Sequence, residues 1–180
     1  MKIYRGFTLP ELLFTLAIAG LLGLIAAPSF LSTGEAAGAS AAAGNIHRAL
    51  QHARTLAKMQ ARRLYICGSD NGSECNKEWG KMMLLFEDKN DDKLPDSDEL
   101  VQKYLINARH SVIQTRLGFG KKLFSYNNLG RVDLTGSFLV CAADHSPEPV
   151  RKITWNATGR PYVLKTATKV AAHSDMTCSG

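Results

Sequence analysis

The first 66 residues contain no cysteine, and the stretch from Leu12 to Ala27 contains no charged side chain and a single hydroxyl, Thr15. A run so empty of charge is not the solvated face of an ordinary surface helix. The chain also lacks a G-x-S-x-G element, an H-E-x-x-H element and a glycine-rich phosphate loop of the right spacing. Serine-hydrolase, zinc-protease and nucleotide chemistry therefore have no foothold. No C-x-x-C pair is present and the five histidines do not cluster with the cysteines, which leaves no zinc-site spacing. Acids are scarce in the second half. From Leu100 to Gly180 eleven lysines and arginines stand against only Asp133, Asp144, Glu148 and Asp175. These absences point to a non-enzyme with no cofactor.

With Phe7 to Leu9 before it and Ser29 to Leu31 behind, the low-charge run reaches the roughly 20 residues needed to span a bilayer. Glu11 interrupts it, and a carboxylate at the entry of a spanning helix is costly enough to imply a function and a partner. A cleaved secretory signal would carry its small-residue site after the apolar core. Here Gly6 precedes the core and Glu11 lies inside it. A plain anchor gives no reason for Gly6-Phe7 followed by a carboxylate.

Gly6-Phe7-Thr8-Leu9-Pro10-Glu11-Leu12-Leu13 resembles the signature of type IV prepilins, and Pro28 falls where those proteins often have a helix-loosening proline. The resemblance implies a chemistry done to this chain rather than by it. A prepilin peptidase would cut between Gly6 and Phe7, and the new amino terminus at Phe7 would be N-methylated. Residues 1–6 are then a leader. Glu11 would pair with the amino terminus of a neighbouring subunit during assembly, an ion pair heavily penalised if either partner is missing. Pro10 departs from the usual aliphatic residue, but it lies in the first helical turn, where a missing amide proton costs least. The implied setting is a single-pass inner-membrane protein with its C-terminal domain in the periplasm.

After the membrane segment, 7–31, the residues become small up to Gly44, which suits close helix packing. From Asn45 the pattern turns amphipathic: Ile46, Ala49, Leu50, Ala53, Leu56 and Ala57 recur at three- and four-residue steps. One helix is expected to run to about Ala61, with 32–61 as its amphipathic continuation. His47 and His52 read as exposed helix residues. Short β-rich runs follow at 62–67, 79–86, 104–106, 112–115, 123–126, 137–141, 150–155 and 161–164, separated by Gly, Asn and Pro. Helix first and antiparallel strands after makes the class α+β, with 62–180 as the β-rich domain.

Cys67, Cys75, Cys141 and Cys178 all follow the membrane segment, and an even count on an exported side reads as two disulfides with three pairings open. Cys67 with Cys75 closes a small loop, and Cys141 with Cys178 ties down the tail; that pairing is favoured. The acidic stretch 88–99 counts as a twelve-residue calcium loop with Asp88, Asn90 and Asp92 at positions 1, 3 and 5, Asp96 at 9 and Glu99 at 12. Lys93 replaces the glycine of the sharp turn and no EF-hand helices flank it. The favoured reading is therefore a solvated loop without metal, with calcium at Asp88, Asn90, Asp92 and Glu99 as the alternative.

Asn128-Leu129-Gly130-Arg131, Gly136-Ser137-Phe138-Leu139-Val140-Cys141 and Ile153-Thr154-Trp155-Asn156-Ala157-Thr158-Gly159-Arg160 are similar to recurring elements of the GspH/FimT branch of pilin-like proteins. With Trp79-Gly80 and the acidic loop, the resemblance covers nearly the whole chain. It implies a minor pilin or pseudopilin, partnered by other pilins or pseudopilins, the prepilin peptidase and membrane lipid. It would serve a type IV pilus or a type II secretion pseudopilus. A second implied reading is DNA capture through a C-terminal Gly-Arg-x-Arg element. This chain keeps Gly159-Arg160 but has Tyr162 where the second arginine belongs, leaving Arg160, Lys165, Arg151 and Lys152 as the candidate DNA contacts, with Lys121, Lys122 and Lys169 as further cations.

Overall fold

The computed structural model describes residues 8–108, 111–142, 151–164 and 178, the side chains of 23–36 and 119 also lying outside that description. One helix, α1 (Leu9–Met59), opens the chain and continues across Pro28. Pro10 is its second residue, where no amide proton is needed, and Glu11 sits in the first turn, where a carboxylate suits the helix dipole. The helix stops two residues short of the expected Ala61. Ala61 adopts a left-handed φ of 52°, its N–H donates to the Lys58 carbonyl (3.3 Å) and the Arg62 N–H donates to the Ala57 carbonyl (3.1 Å). These two bonds form a Schellman cap, which closes the helix and turns the chain into the first strand.

The chain forms two compact units, Met1–Gly34 and Glu35–Gly180. In the first, every described side chain from Thr8 to Leu22 is exposed, among them Leu9, Leu12, Leu13, Phe14, Leu16, Ile18, Leu21 and Leu22. Among the described residues no helix is long and apolar enough to cross a membrane; the expected span, 7–31, lies partly outside them.

In the second unit the strands are β1 (Leu64–Ser69), β2 (Met82–Phe86), β3 (Leu100–Leu105), β4 (Ser111–Leu117), β5 (Leu123–Tyr126), β6 (Gly136–Ala142), β7 (Arg151–Trp155) and β8 (Pro161–Leu164). They form two four-stranded antiparallel sheets, ordered β3-β2-β1-β5 and β4-β6-β7-β8. Pro161 opens the edge strand β8, a place where a missing ladder donor does no harm. The α+β class is thus realised with the strands divided between two sheets.

Strand alternation explains the core. Leu64, Ile66, Met83, Leu85, Phe124 and Tyr126 of the first sheet join Phe138, Val140, Ile153 and Trp155 of the second. Against them lies the helix stripe Ala39, Ala42, Ala43, Ile46, Ala49, Leu50, Ala53 and Ala57, at three- and four-residue steps. The stripe and the inner faces of both sheets form one continuous buried cluster. Phe124 stacks on Trp155 at 4.9 Å between centroids, and Trp155 meets Phe138 at 5.1 Å, so aromatic rings join the sheets.

The intervening residues face outward, yet many are buried too. Tyr65, Cys67, Leu84 and Phe86 form a second cluster with Cys75, and Leu139 and Cys141 a third with Cys178. Each outer cluster contains one disulfide, Cys67–Cys75 and Cys141–Cys178. Both sheets therefore bury side chains on two faces, the helix stripe lying on the inner face and one disulfide in each outer cluster.

Candidate functional site

The sequence points to three places: the helix start, the Gly159-Arg160 turn with its basic neighbours, and the acidic loop. Gly6 and Phe7 lie outside the described residues. Glu11 is exposed on α1 amid apolar side chains that are all exposed as well, and Thr15 donates to the Leu12 carbonyl at 2.8 Å, so the hydroxyl is used within the helix.

Gly159 has an architectural role. Its φ is 73°, and a Cβ there would stand 2.2 Å from the Gly130 carbonyl oxygen and 2.9 Å from the Tyr126 ring. The turns carrying Gly130 and Gly159 thus press backbone on backbone. Arg54 of α1 clamps them, donating from Nε to the Gly130 carbonyl at 3.0 Å and from a terminal nitrogen to the Thr158 carbonyl at 3.4 Å. Nothing in the sequence singled out Arg54, because the clamp joins residues 76 and 104 positions apart.

Arg160 is exposed, its guanidinium 5.8 Å from the centre of the Tyr162 ring. Arg151 is half-buried and engaged within the protein. Lys152 corrects the expectation of a DNA contact. It is 6 % exposed, paired across from Leu139 of β6 and Leu164 of β8, so its charge is not offered to a polyanion. Lys165 and Lys169 lie outside the described residues. Lys121 and Lys122 line a cleft of about 560 Å³ with Arg63, Lys93, Asp92 and Asp133, rather than joining Arg160.

The acidic loop 88–99 joins β2 to β3. Carboxylate oxygens of Asp88, Asp92 and Glu99 lie within 4.8 Å of one another. Lys93, whose side chain argued against the sharp turn, makes it with a φ of 61°.

Among the described residues no histidine is hydrogen-bonded to a serine, threonine or cysteine, and the four cysteines are in disulfides. His52 instead shares a 2.8 Å hydrogen bond between its Nδ1 and the Tyr104 hydroxyl, whose pKa burial pushes up to about 12.

A long N-terminal helix whose second half packs on antiparallel sheets defines a pilin-like protein. The family model described as type II transport protein GspH matches residues 42–159, and the chain belongs to that family. A second model, the prokaryotic N-terminal methylation motif, matches residues 1–27. Two solved structures share the fold. The type IV minor pilin FimU of Pseudomonas aeruginosa is 17 % identical with a TM-score of 0.51, over 72 % of this chain and 88 % of that one. The minor pseudopilin EpsH from the type 2 secretion system of Vibrio cholerae is 12 % identical with a TM-score of 0.50, over 71 % and 96 %. No curated protein sequence matches the chain.

Proposed function

We propose that this chain is a minor pilin or pseudopilin, cut between Gly6 and Phe7, N-methylated at Phe7, and built into the initiating or tip complex of a type IV pilus or type II secretion pseudopilus. The observation that carries this reading is the exposed apolar surface of Leu9 to Leu22, with Glu11 as its one charge. Such a surface is not stable in water and must be covered by lipid before assembly and by neighbouring helices after it. The matched methylation motif supports the processing step. On this reading 1–6 is the leader, 7–31 the membrane and filament-core helix, 32–61 its continuation and 62–180 the periplasmic domain. The test is the amino-terminal peptide mass from a strain with the prepilin peptidase and from one without it. A mature chain beginning at methylated Phe7 only in the first supports the reading; an intact leader in both would refute it.

DNA capture is the second reading, favoured by the exposed Arg160 set over Tyr162, a pair that can meet a phosphate and a base together. Salt titration of duplex binding, beside an Arg160→Ala variant, separates it from a purely structural role. Phosphate contact predicts affinity that falls steeply with salt and a slope reduced by about one in the variant.

A further inference from the structure

The loop between β2 and β3 contains a carboxylate that the protein alone does not satisfy. Glu99 is 4 % exposed. Its Oε1 accepts a hydrogen bond from the Lys89 amide at 2.7 Å, but its Oε2 is buried with no partner. Asp88 repeats the pattern, with Oδ2 accepting from the Lys93 amide at 3.2 Å and Oδ1 buried and unpartnered. Asp92 completes a group of three whose oxygens lie within 4.8 Å of one another. Among the described residues no lysine or arginine forms a salt bridge with any of the three: Lys89 turns to Asp98 instead, and Arg62 to Glu87. A buried carboxylate oxygen without a donor is expensive, and two more carboxylates beside it raise that cost.

We propose that Asp88, Asp92 and Glu99 bind a calcium ion. The carboxylates of Asp88, Asp92 and Glu99 are hard, negatively charged ligands, and one oxygen from each lies within 4.8 Å of the others. That spacing fits a cation with ligands at roughly 2.3–2.6 Å, where opposed oxygens stand about 5 Å apart. Magnesium holds its ligands at roughly 2.0–2.1 Å and keeps several waters, a poorer match to three clustered carboxylates. The rest of the loop positions the group. Asn90 donates to Asp92 Oδ2 at 2.9 Å and to Asp96 Oδ2 at 3.2 Å, while the Leu94 amide donates to Asp92 Oδ1 at 2.7 Å. The loop base is closed by the Glu87 amide on the Glu99 carbonyl at 2.9 Å. Calcium here would fasten the β2–β3 connection, and with it the edge strand of the first sheet. The site is independent of the filament reading.

The experiment uses the full chain in detergent, with disulfides formed, stripped with chelator and dialysed. Calcium chloride is titrated from 10 µM to 5 mM, following bound calcium-45 and the melting temperature; magnesium chloride is run in parallel. The expected result is one saturable calcium with Kd of about 10⁻⁴ M, and a rise in melting temperature of about 4 °C at 1 mM. Asp92→Asn, at an exposed position where misfolding is not a concern, and Glu99→Gln, which keeps the acceptor for Lys89, should each lose the shift and at least tenfold in affinity. In chelator the order should reverse, with Glu99→Gln at least as stable as the native chain. No bound calcium at 5 mM, an equal response to magnesium, or unchanged binding in both variants would overturn the proposal.

Discussion

Gly159 and Tyr104 show how single positions carry both the fold and its response to conditions. Gly159 combines a positive φ with a Cβ direction occupied by the Gly130 carbonyl, whereas Gly120, at φ 65°, has nothing within 4 Å of where a Cβ would be. Gly120→Ala should therefore cost only the backbone term, about 1 kcal/mol. Gly159→Ala adds steric overlap that a backbone atom cannot escape, for about 3 kcal/mol in all. Urea unfolding midpoints of the two variants would separate these contributions, and equal losses would show that the turns yield. Tyr104 gives a pH signature. Its pKa rises from 10.0 to about 12 through burial, and burial pushes the Tyr126 hydroxyl up further, partly opposed by Arg54. The unfolded chain then releases these protons before the folded one does. The stability they contribute is complete below about pH 10 and is lost as pH rises toward 12. Melting temperatures between pH 8 and 11.5 should fall from about pH 10 onward, and Tyr104→Phe should flatten that decline.

At the scale of elements, the end of α1 is held by geometry that its sequence does not advertise. The Schellman cap places Ala61, not glycine, in the left-handed region. Ala61→Gly should relieve that strain and stabilise the domain by about 1 kcal/mol, read as a rise in melting temperature of about 3 °C. A loss of stability instead would show that unfolded-chain entropy outweighs the strain. The same contrast divides what the sequence disclosed from what it hid. The stripe Ile46, Ala49, Leu50, Ala53 and Ala57 is legible because burial on one helix face imposes a period, and the central strands because each carries an apolar run buried on both faces, Leu64 to Cys67 and Phe138 to Ala142. β3 was read only at its end. As an edge strand it exposes Val101, Gln102 and Lys103, so neither alternation nor a hydrophobic run marks its start. Division into two sheets and the Arg54 clamp depend on contacts between distant residues, which no local pattern encodes. In the acidic loop the spacing was visible, but the burial of Glu99 that leaves an oxygen without a donor was not.

For the whole molecule, Met1–Gly34 and Glu35–Gly180 divide the labour as well as the contacts. The second unit buries its own apolar surface beneath two sheets and two disulfides. The first leaves Leu9 to Leu22 uncovered, so its stability must come from what surrounds it. Glu11 is the one charge on that surface. In an assembled filament it would be taken out of water with the methylated Phe7 amine of a neighbour, and removing one member of such a pair leaves the other charge uncompensated. Glu11→Ala should therefore reduce recovery of the chain in the sheared-filament fraction by at least about 100-fold. Cleavage after Gly6 should proceed normally, and the melting temperature of the second unit should stay within about 1 °C of the native value, because Glu11 lies outside it. Quantitative immunoblots of membrane and filament fractions measure the first effect, and thermal unfolding the second. Normal incorporation of the variant would mean that register is set by the apolar packing alone. A loss of both incorporation and domain stability would mean instead that Glu11 serves the folding of the chain rather than its assembly.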